Sequence, residues 1–493
     1  MNFGLGRPFM RAALFFCALA AAQDEGALAL KSREANSLMA QGRFADAVSI
    51  YEQLVKALPA NPGLRLNLGL ALHMAGRDKD AIPHLEAVLK VQPSSIPALV
   101  SLGLARIQLG QPALAIAPLR KVAALEPDNP EPRGLLANAL LSTGRPAEAA
   151  PHFRRLATLT PRDPRAWSGL GRCYEALAGK AFEELDRTAR GSAEWSVLVA
   201  DSRLARRQYR AAFYFYRQAR DAKPNFRAAR AGLARVYEAT GRADWAAIEI
   251  SREQAIPPPD CITAKAECDF AAGRFLEAAS SKSPYWRAKA YNELAIRAFA
   301  VLGTLPPSVD LHALKADIAA GRGRHTEAAE EWQAALKLAP GDPRLTRELT
   351  VSLFLARDYE KVMPMVREQL QRAPNDADLN FFLGDCLLRT GKPEEAIPYL
   401  EKAAKNDTKL LPARASLGQA FAGAGRAAEA IPHLEAALPI DEDGSTHYQL
   451  SRAYQSAGQP EKARQTLGKY QEIRRKLEAD AARLEEKVKI TEP

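Results

Sequence analysis

The sequence predicts an all-α fold, a solenoid of stacked antiparallel helix pairs, and three observations predict it. Proline recurs every 34 residues, at Pro59, Pro93, Pro127 and Pro161, and the step returns at Pro340 and Pro374. A glycine turn lies about half a period before the early prolines, at Gly42-Arg43, Gly76-Arg77, Gly110-Gln111 and Gly144-Arg145, with Gly391-Lys392 as a later counterpart. Small residues hold fixed places between these marks: Ala47, Ala81, Ala115, Ala149 and Ala328 in one half of the period, and Gly69, Gly103, Ala137, Gly171, Gly384 and Gly418 in the other. Large apolar residues such as Leu68, Leu72, Ile82, Leu85 and Val88 fill the gaps at helical spacing. The composition agrees. With 47% hydrophobic and 26% charged residues, long disorder is not expected, and abundant alanine favours closely packed helices.

Each period reads as two helices. The glycine allows the left-handed conformation that ends the first. A proline soon after the turn, at Pro112, Pro146, Pro393 and Pro460, suits the first position of the second helix, where no amide partner is lost. The period-marking proline stops the second helix. One pair cannot bury its own apolar face, so neighbours must stack.

In chain order, the first segment is an address. Arg7 and Arg11 precede the apolar run Ala12 to Ala22, and Ala20 and Ala22 stand at −3 and −1 to Gln23. This is the layout of a secretory signal peptide over residues 1–22, cut between Ala22 and Gln23. Such a run rises about 16 Å as a helix, too short to span a bilayer. Phe15 and Phe16 ahead of Cys17 argue against a lipoprotein. Export to a bacterial periplasm or beyond implies an oxidising compartment.

The repeating units that follow resemble the tetratricopeptide repeat family. Trp167-Ser-Gly-Leu170-Gly171-Arg-Cys-Tyr174 has the look of its first helix, and Gly391-Lys-Pro-Glu-Glu-Ala396-Ile-Pro-Tyr-Leu400-Glu-Lys-Ala403 of its second. The resemblance implies a right-handed superhelix whose first helices line a concave groove, and a role in binding proteins. Units are expected at 28–61, 62–95, 96–129, 130–163, 193–226 and 227–256. These form an N-terminal array over 28–256, irregular at 178–192, where the chain reads as a lengthened or extra helix. Residues 257–308 open on Pro257-Pro258-Pro259-Asp260, an extended stretch. Helical segments around 261–280 and 284–303 follow, and Pro306-Pro307 closes this degenerate helical segment. A C-terminal array over 309–477 has units at 309–342, 343–376, 377–410, 411–444 and 445–477. Last, residues 471–490 form a charged helix with an apolar stripe of Ile473, Leu477, Ala481, Leu484 and Val488. It reads as the polar-backed cap of a solenoid, and under three heptads is thin support for a coiled coil.

Signatures of catalysis are missing. HExxH, GxSxG and GxxxxGK[ST] do not occur. His84, His152 and His433 share one repeat position in three different units, too far apart to converge on a metal. No catalytic residue, metal or cofactor is therefore expected. Cys173 and Cys386 share a position and read as core. On one helix Cys261 and Cys268 would hold their Cα atoms about 10.5 Å apart, too far for a disulfide. A place for Cys261 outside the helix, after the proline run, would permit the bond.

Charge supplies the sharpest local signal. Lys and Arg total 68 against 58 for Asp and Glu. The excess lies in residues 203–235, where Arg203, Arg206, Arg207, Arg210, Arg217, Arg220, Lys223, Arg227, Arg230 and Arg235 meet one acid, Asp221. Tyr209, Phe213, Tyr214, Phe215, Tyr216 and Phe226 interleave them. Arginine forks bind carboxylate, sulfate or phosphate and stack on rings. The alternative is a solvated helix surface with some arginine–aromatic stacking. Some tetratricopeptide proteins clamp a terminal carboxylate with two asparagines and three basic residues. Asn36 and Asn67 match the asparagines, but Ser32, Pro97 and Ser101 stand where the cations belong, so that function is not carried over.

The sequence therefore points to an exported, non-catalytic scaffold mediating protein–protein interaction in envelope or secretion-related assembly, with a protein or peptide partner that carries acid. The alternatives are an anionic polysaccharide or other acidic ligand on the 203–235 patch and, remotely, an enzyme. Nucleic acid is not expected, since no nucleic-acid motif accompanies the charge, and the mature chain is expected to lack a transmembrane span.

Overall fold

The computed structural model describes residues 26–493, and the expected leader with its Ala22–Gln23 junction lies outside the described residues. Among the described residues the regular structure is helical, with no strand. Helices alternate with short turns at the expected period: Pro62–Met74 with Asp78–Val91, Ile96–Gln108 with Pro112–Leu125, and Pro130–Ser142 with Pro146–Leu159. The same pairing returns from Val309–Gly321 with His325–Leu338 onward.

Local chemistry explains the boundaries. Asn61 and Asp376 cap first helices by accepting the amides of Leu64 and Leu379 at 3.1 and 3.0 Å. Gly76 ends a first helix at φ 74°, and the Arg77 amide donates to the Leu72 carbonyl at 2.8 Å, satisfying an otherwise orphaned group. Within a pair the small residue of the first helix receives a leucine of the second. A Cβ on Gly69, Gly103, Gly384 or Gly418 would stand 2.6–2.8 Å from atoms of Leu85, Leu119, Leu400 or Leu434, each 16 residues later. That contact sets the close approach of the two helices.

The chain divides into two compact units. Of the described residues, one comprises 26–180, 275–280 and 288–305, and the other 181–274, 281–287 and 306–493. This differs from the expected division at 256 and 309. The reason is a repeat whose second helix is remote. Helix Pro164–Ala189 is the lengthened helix expected there, but nothing within it packs on Gly171. Phe299 of helix Pro284–Thr304 does so, its ring filling the place where a Cβ would stand, 128 residues further along the chain rather than 16. Tyr291 stacks on Tyr174 at 6.1 Å, and Ala295 and Ala298 join the buried cluster of Leu140, Phe153, Leu170 and Cys173.

In the second unit a buried cluster runs from Ala313 to Ala463 through Trp332, Leu383, Cys386 and Leu434. The charged helix expected at 471–490 is the continuation of the last repeat's second helix, Pro460–Lys487. Of its stripe, Ile473 and Val488 are half-buried, while Leu477 and Leu484 are 39% and 57% exposed, so the middle of the stripe is turned to solvent. Cys261 lies before helix Lys265–Ala271, which brings its Cα within 5.6 Å of that of Cys268, and the two are bonded. Cys173 and Cys386 are buried free thiols, both pushed up to about 12 by burial.

Candidate binding surface

The arginine-rich window forms the second helix of one pair, Tyr209–Ala222, and the first of the next, Arg227–Ala239. Ala212, Phe213, Tyr216 and Ala219 give Tyr209–Ala222 one buried face. Arg210 and Arg217, two turns apart, share a face of their own. Arg206 and Arg207 occupy the turn before it, exposed, and among the described residues neither has an ion pair. Arg207 holds φ at 59°, in the place where the other turns, save that at Arg357, use glycine.

Most of the remaining cations are consumed internally. Arg220, Arg230 and Arg252 surround the fully buried Glu249 at 3.7, 3.0 and 3.1 Å. Arg227 pairs with Glu253 at 2.6 Å, Lys223 with Glu194 at 3.0 Å, and Arg235 with Asp201 at 2.9 Å. Arg203 donates to the Gln208 side chain at 2.9 Å. The Tyr216 hydroxyl donates to Asp201 at 2.5 Å, and burial followed by that carboxylate raises its phenol. The basic window expected over 203–235 is therefore not one surface. Arg220, Arg227, Arg230 and Arg235 belong to the packing of the repeats, because acids from neighbouring helices reach them. Arg206, Arg207, Arg210 and Arg217 are left facing outward.

The aromatics divide in the same way. Arg217 lies 5.4 Å from the centroid of Phe213, and Arg235 5.9 Å from that of Tyr216. Tyr214 packs edge-on against Phe215, which meets Trp195. Tyr209 is half-buried at the helix start.

A spacing in the sequence carries part of this outcome. Arg65 and Arg230 each donate to a proline carbonyl six residues earlier, Pro59 and Pro224, at 2.8 and 3.1 Å, and Arg133 does the same to Pro127. Arg230 is thus a repeat feature. Nineteen residues on, at the seventh position of the second helix, Glu249 takes the place that His84 and His152 hold in their pairs. Burial, then Arg65 and Arg133 respectively, holds those histidines below their ordinary range.

Two further features were not visible in the sequence. The chain's C-terminal segment lies on the outward arginines: Glu485 is 3.5 Å from Arg210, and Arg217 donates to the Lys487 carbonyl at 3.0 Å. In addition, the first helices Ala377–Arg389, Leu411–Gly423 and Ser445–Ser456 line an open groove of about 580 Å³ with Arg389, Gln419, Gln449 and Arg452. No charge run marks those residues, since they are spread over three repeats. No helix among the described residues is long and apolar enough to cross a membrane.

Models of the tetratricopeptide repeat match residues 32–95, 79–130, 106–173, 288–361, 353–420 and 444–477, well over half of the chain. These stretches omit 174–287, where the arginine window lies. Similar solved structures include a tetratricopeptide repeat protein from Parabacteroides merdae, 13% identical, covering 66% of this chain and 98% of that one with a TM-score of 0.33. MamA from Desulfovibrio magneticus RS-1 is 21% identical, covering 34% and 96% with a TM-score of 0.31. YrrB, described as having an unusual peptide-binding site, is 22% identical, covering 33% and 84% with a TM-score of 0.29. No curated protein matches the chain.

Proposed function

The chain belongs to the tetratricopeptide repeat family, and from that premise we propose that it is an exported, non-catalytic scaffold that binds an acidic segment of a protein partner in envelope or secretion-related assembly. The observation that carries this reading is the outward set Arg206, Arg207, Arg210 and Arg217. Their neighbours are paired with internal acids, whereas Arg206, Arg207 and Arg210 are exposed and Arg217 is half-buried, and apart from Arg210–Glu485 none of the four has an ion pair among the described residues. Guanidinium forks in that position match carboxylates in two-pronged geometry. A stiff array loses little freedom on binding, so modest contacts add up. The Cys261–Cys268 bond and the leader-like residues 1–22 support export, because disulfides persist in oxidising compartments.

The test compares the whole chain with a variant carrying Arg206, Arg207, Arg210 and Arg217 changed to Ser. Both are offered an envelope extract over a salt series. A defined protein that the parent captures, and that the variant and about 0.5 M salt release, is the expected result. Capture of an acidic glycan instead makes the surface a carbohydrate site. Equal capture by both chains removes the arginine face and moves the site to the Arg389–Arg452 groove.

A further inference from the structure

The C-terminal segment lies against helices Tyr209–Ala222 and Arg227–Ala239, the first of which carries Arg210 and Arg217, and the way it is held is informative. After helix Pro460–Lys487 the chain turns at Val488 and runs without regular secondary structure to Pro493. Val488 and Ile490 are half-buried, while Lys489, Thr491 and Glu492 are exposed. The Arg217 guanidinium donates to the Lys487 carbonyl at 3.0 Å, and the Tyr237 hydroxyl donates to the Thr491 carbonyl at 2.8 Å. Just upstream, Glu485 faces Arg210 at 3.5 Å. Two of these three contacts are to main-chain oxygens, which any peptide offers where its carbonyls are not used internally.

The hold is also light. In the 28-residue helix leading to this segment, Ala463 is the buried residue and the distal half is exposed. Arg210 and Glu485 are 67% and 75% exposed, so their attraction is weak and screened by salt. By contrast, the Tyr237 donor is well packed: its ring lies against Phe213 and Trp245, and its hydroxyl reaches the segment. A packed donor under a lightly held segment is what a surface with an exchangeable occupant needs.

We infer that residues 485–493 occupy, in cis, the surface that takes the partner, and that the partner segment shares their chemistry: an acidic residue, then a short stretch carrying aliphatic side chains, gripped by its main-chain carbonyls. This rests on reading the Arg206–Arg217 face as a binding surface. It adds what the face recognises and what covers it when the partner is absent.

The probe is a fluorescent peptide of residues 484–493, followed by anisotropy at low salt. It is offered to the whole chain, to a chain ending at Leu484, and to a whole chain carrying Val488→Asp and Ile490→Asp, which ejects the segment without shortening the protein. Both opened chains should bind the probe at least ~10-fold more tightly than the parent, a difference of about 1.4 kcal/mol. Adding Tyr237→Phe to an opened chain should weaken binding roughly 5-fold, the worth of one hydrogen bond. Equal binding by parent and opened chains overturns the inference. So does an opened chain that keeps the parent's helix content and melting and does not bind. If opened chains bind the probe but no form captures an acidic protein from the extract, the docking of residues 485–493 stands and the proposed function falls. If the parent captures that protein as well as the opened chains do, the function stands and the covering role of this segment falls.

Discussion

Arg207 occupies a backbone conformation that the rest of the molecule gives almost entirely to glycine. Thirteen glycines hold positive φ, and only Arg207 and Arg357 do so among other described residues, at 59° and 61°. A Cβ in that region crowds the following carbonyl, at a cost of about 1–2 kcal/mol that glycine avoids. Glycine in turn surrenders more chain entropy on folding, about 0.5–1 kcal/mol. Arg207→Gly should therefore stabilise the 193–226 pair by about 0.5–1 kcal/mol, read as slower amide exchange in helices Ala193–Ala205 and Tyr209–Ala222. The same variant should bind the acidic partner less well. A gain in stability with no loss of binding would make Arg207 an incidental resident of the turn. Backbone strain held in place is a reason to suspect function, and this variant weighs the two against each other.

At the scale of the helix pair, the second helix Ala243–Gln254 carries a carboxylate, Glu249, with no exposed surface. Burying a charge is tolerated only when partners replace its water, and Arg220, Arg230 and Arg252 do so from three directions. These pairs bind three consecutive helices, so the arginines that look like a ligand site act partly as mortar. Glu249→Gln keeps the volume and removes the charge, leaving the guanidiniums crowded around a neutral amide. The expected cost is about 2–3 kcal/mol, below the ~3–5 of a fully enclosed pair because the arginines reach solvent. It should appear as faster amide exchange across 209–254, with the 309–477 repeats unchanged. An exchange pattern equal to the parent's would mean that the cluster adds nothing net. The sequence displays the arginines as a run but hides this arrangement. A charge count over 203–235 cannot include Glu249, Glu253, Glu194 or Asp201, which lie outside it. The repeat register does reveal it, once Arg230 is compared with Arg65 and Arg133.

Across the whole molecule, the legible part is what repeats. Pairing, turns, caps and the small-residue contacts follow from a 34-residue spacing, and helices stand where that spacing places them, from Pro62–Met74 to Ser445–Ser456. Two things escape it. The seat of residues 485–493 on Arg217 and Tyr237 depends mainly on backbone carbonyls, which leave no mark in the sequence. The repeat begun at Pro164 is completed by helix Pro284–Thr304, and periodicity cannot reveal a partner 128 residues away. That completion makes a firm prediction. In ordinary pairs the residue over the small position arrives with its own helix. Here Phe299 must arrive from beyond the 181–274 segment, so the contact carries a longer loop closure, whose cost grows only slowly with length. Phe299→Ala removes a half-buried ring and leaves a void over Gly171, which should cost about 2–3 kcal/mol, less than the ~3–5 of a fully enclosed phenylalanine. If Phe299 completes the pair, faster exchange should appear in two segments distant in sequence, 164–180 and 288–305, while 62–125 keeps its protection. Faster exchange confined to 288–305 would mean that helix Pro164–Ala189 is held by its neighbours alone, and that the remote helix merely rests on it.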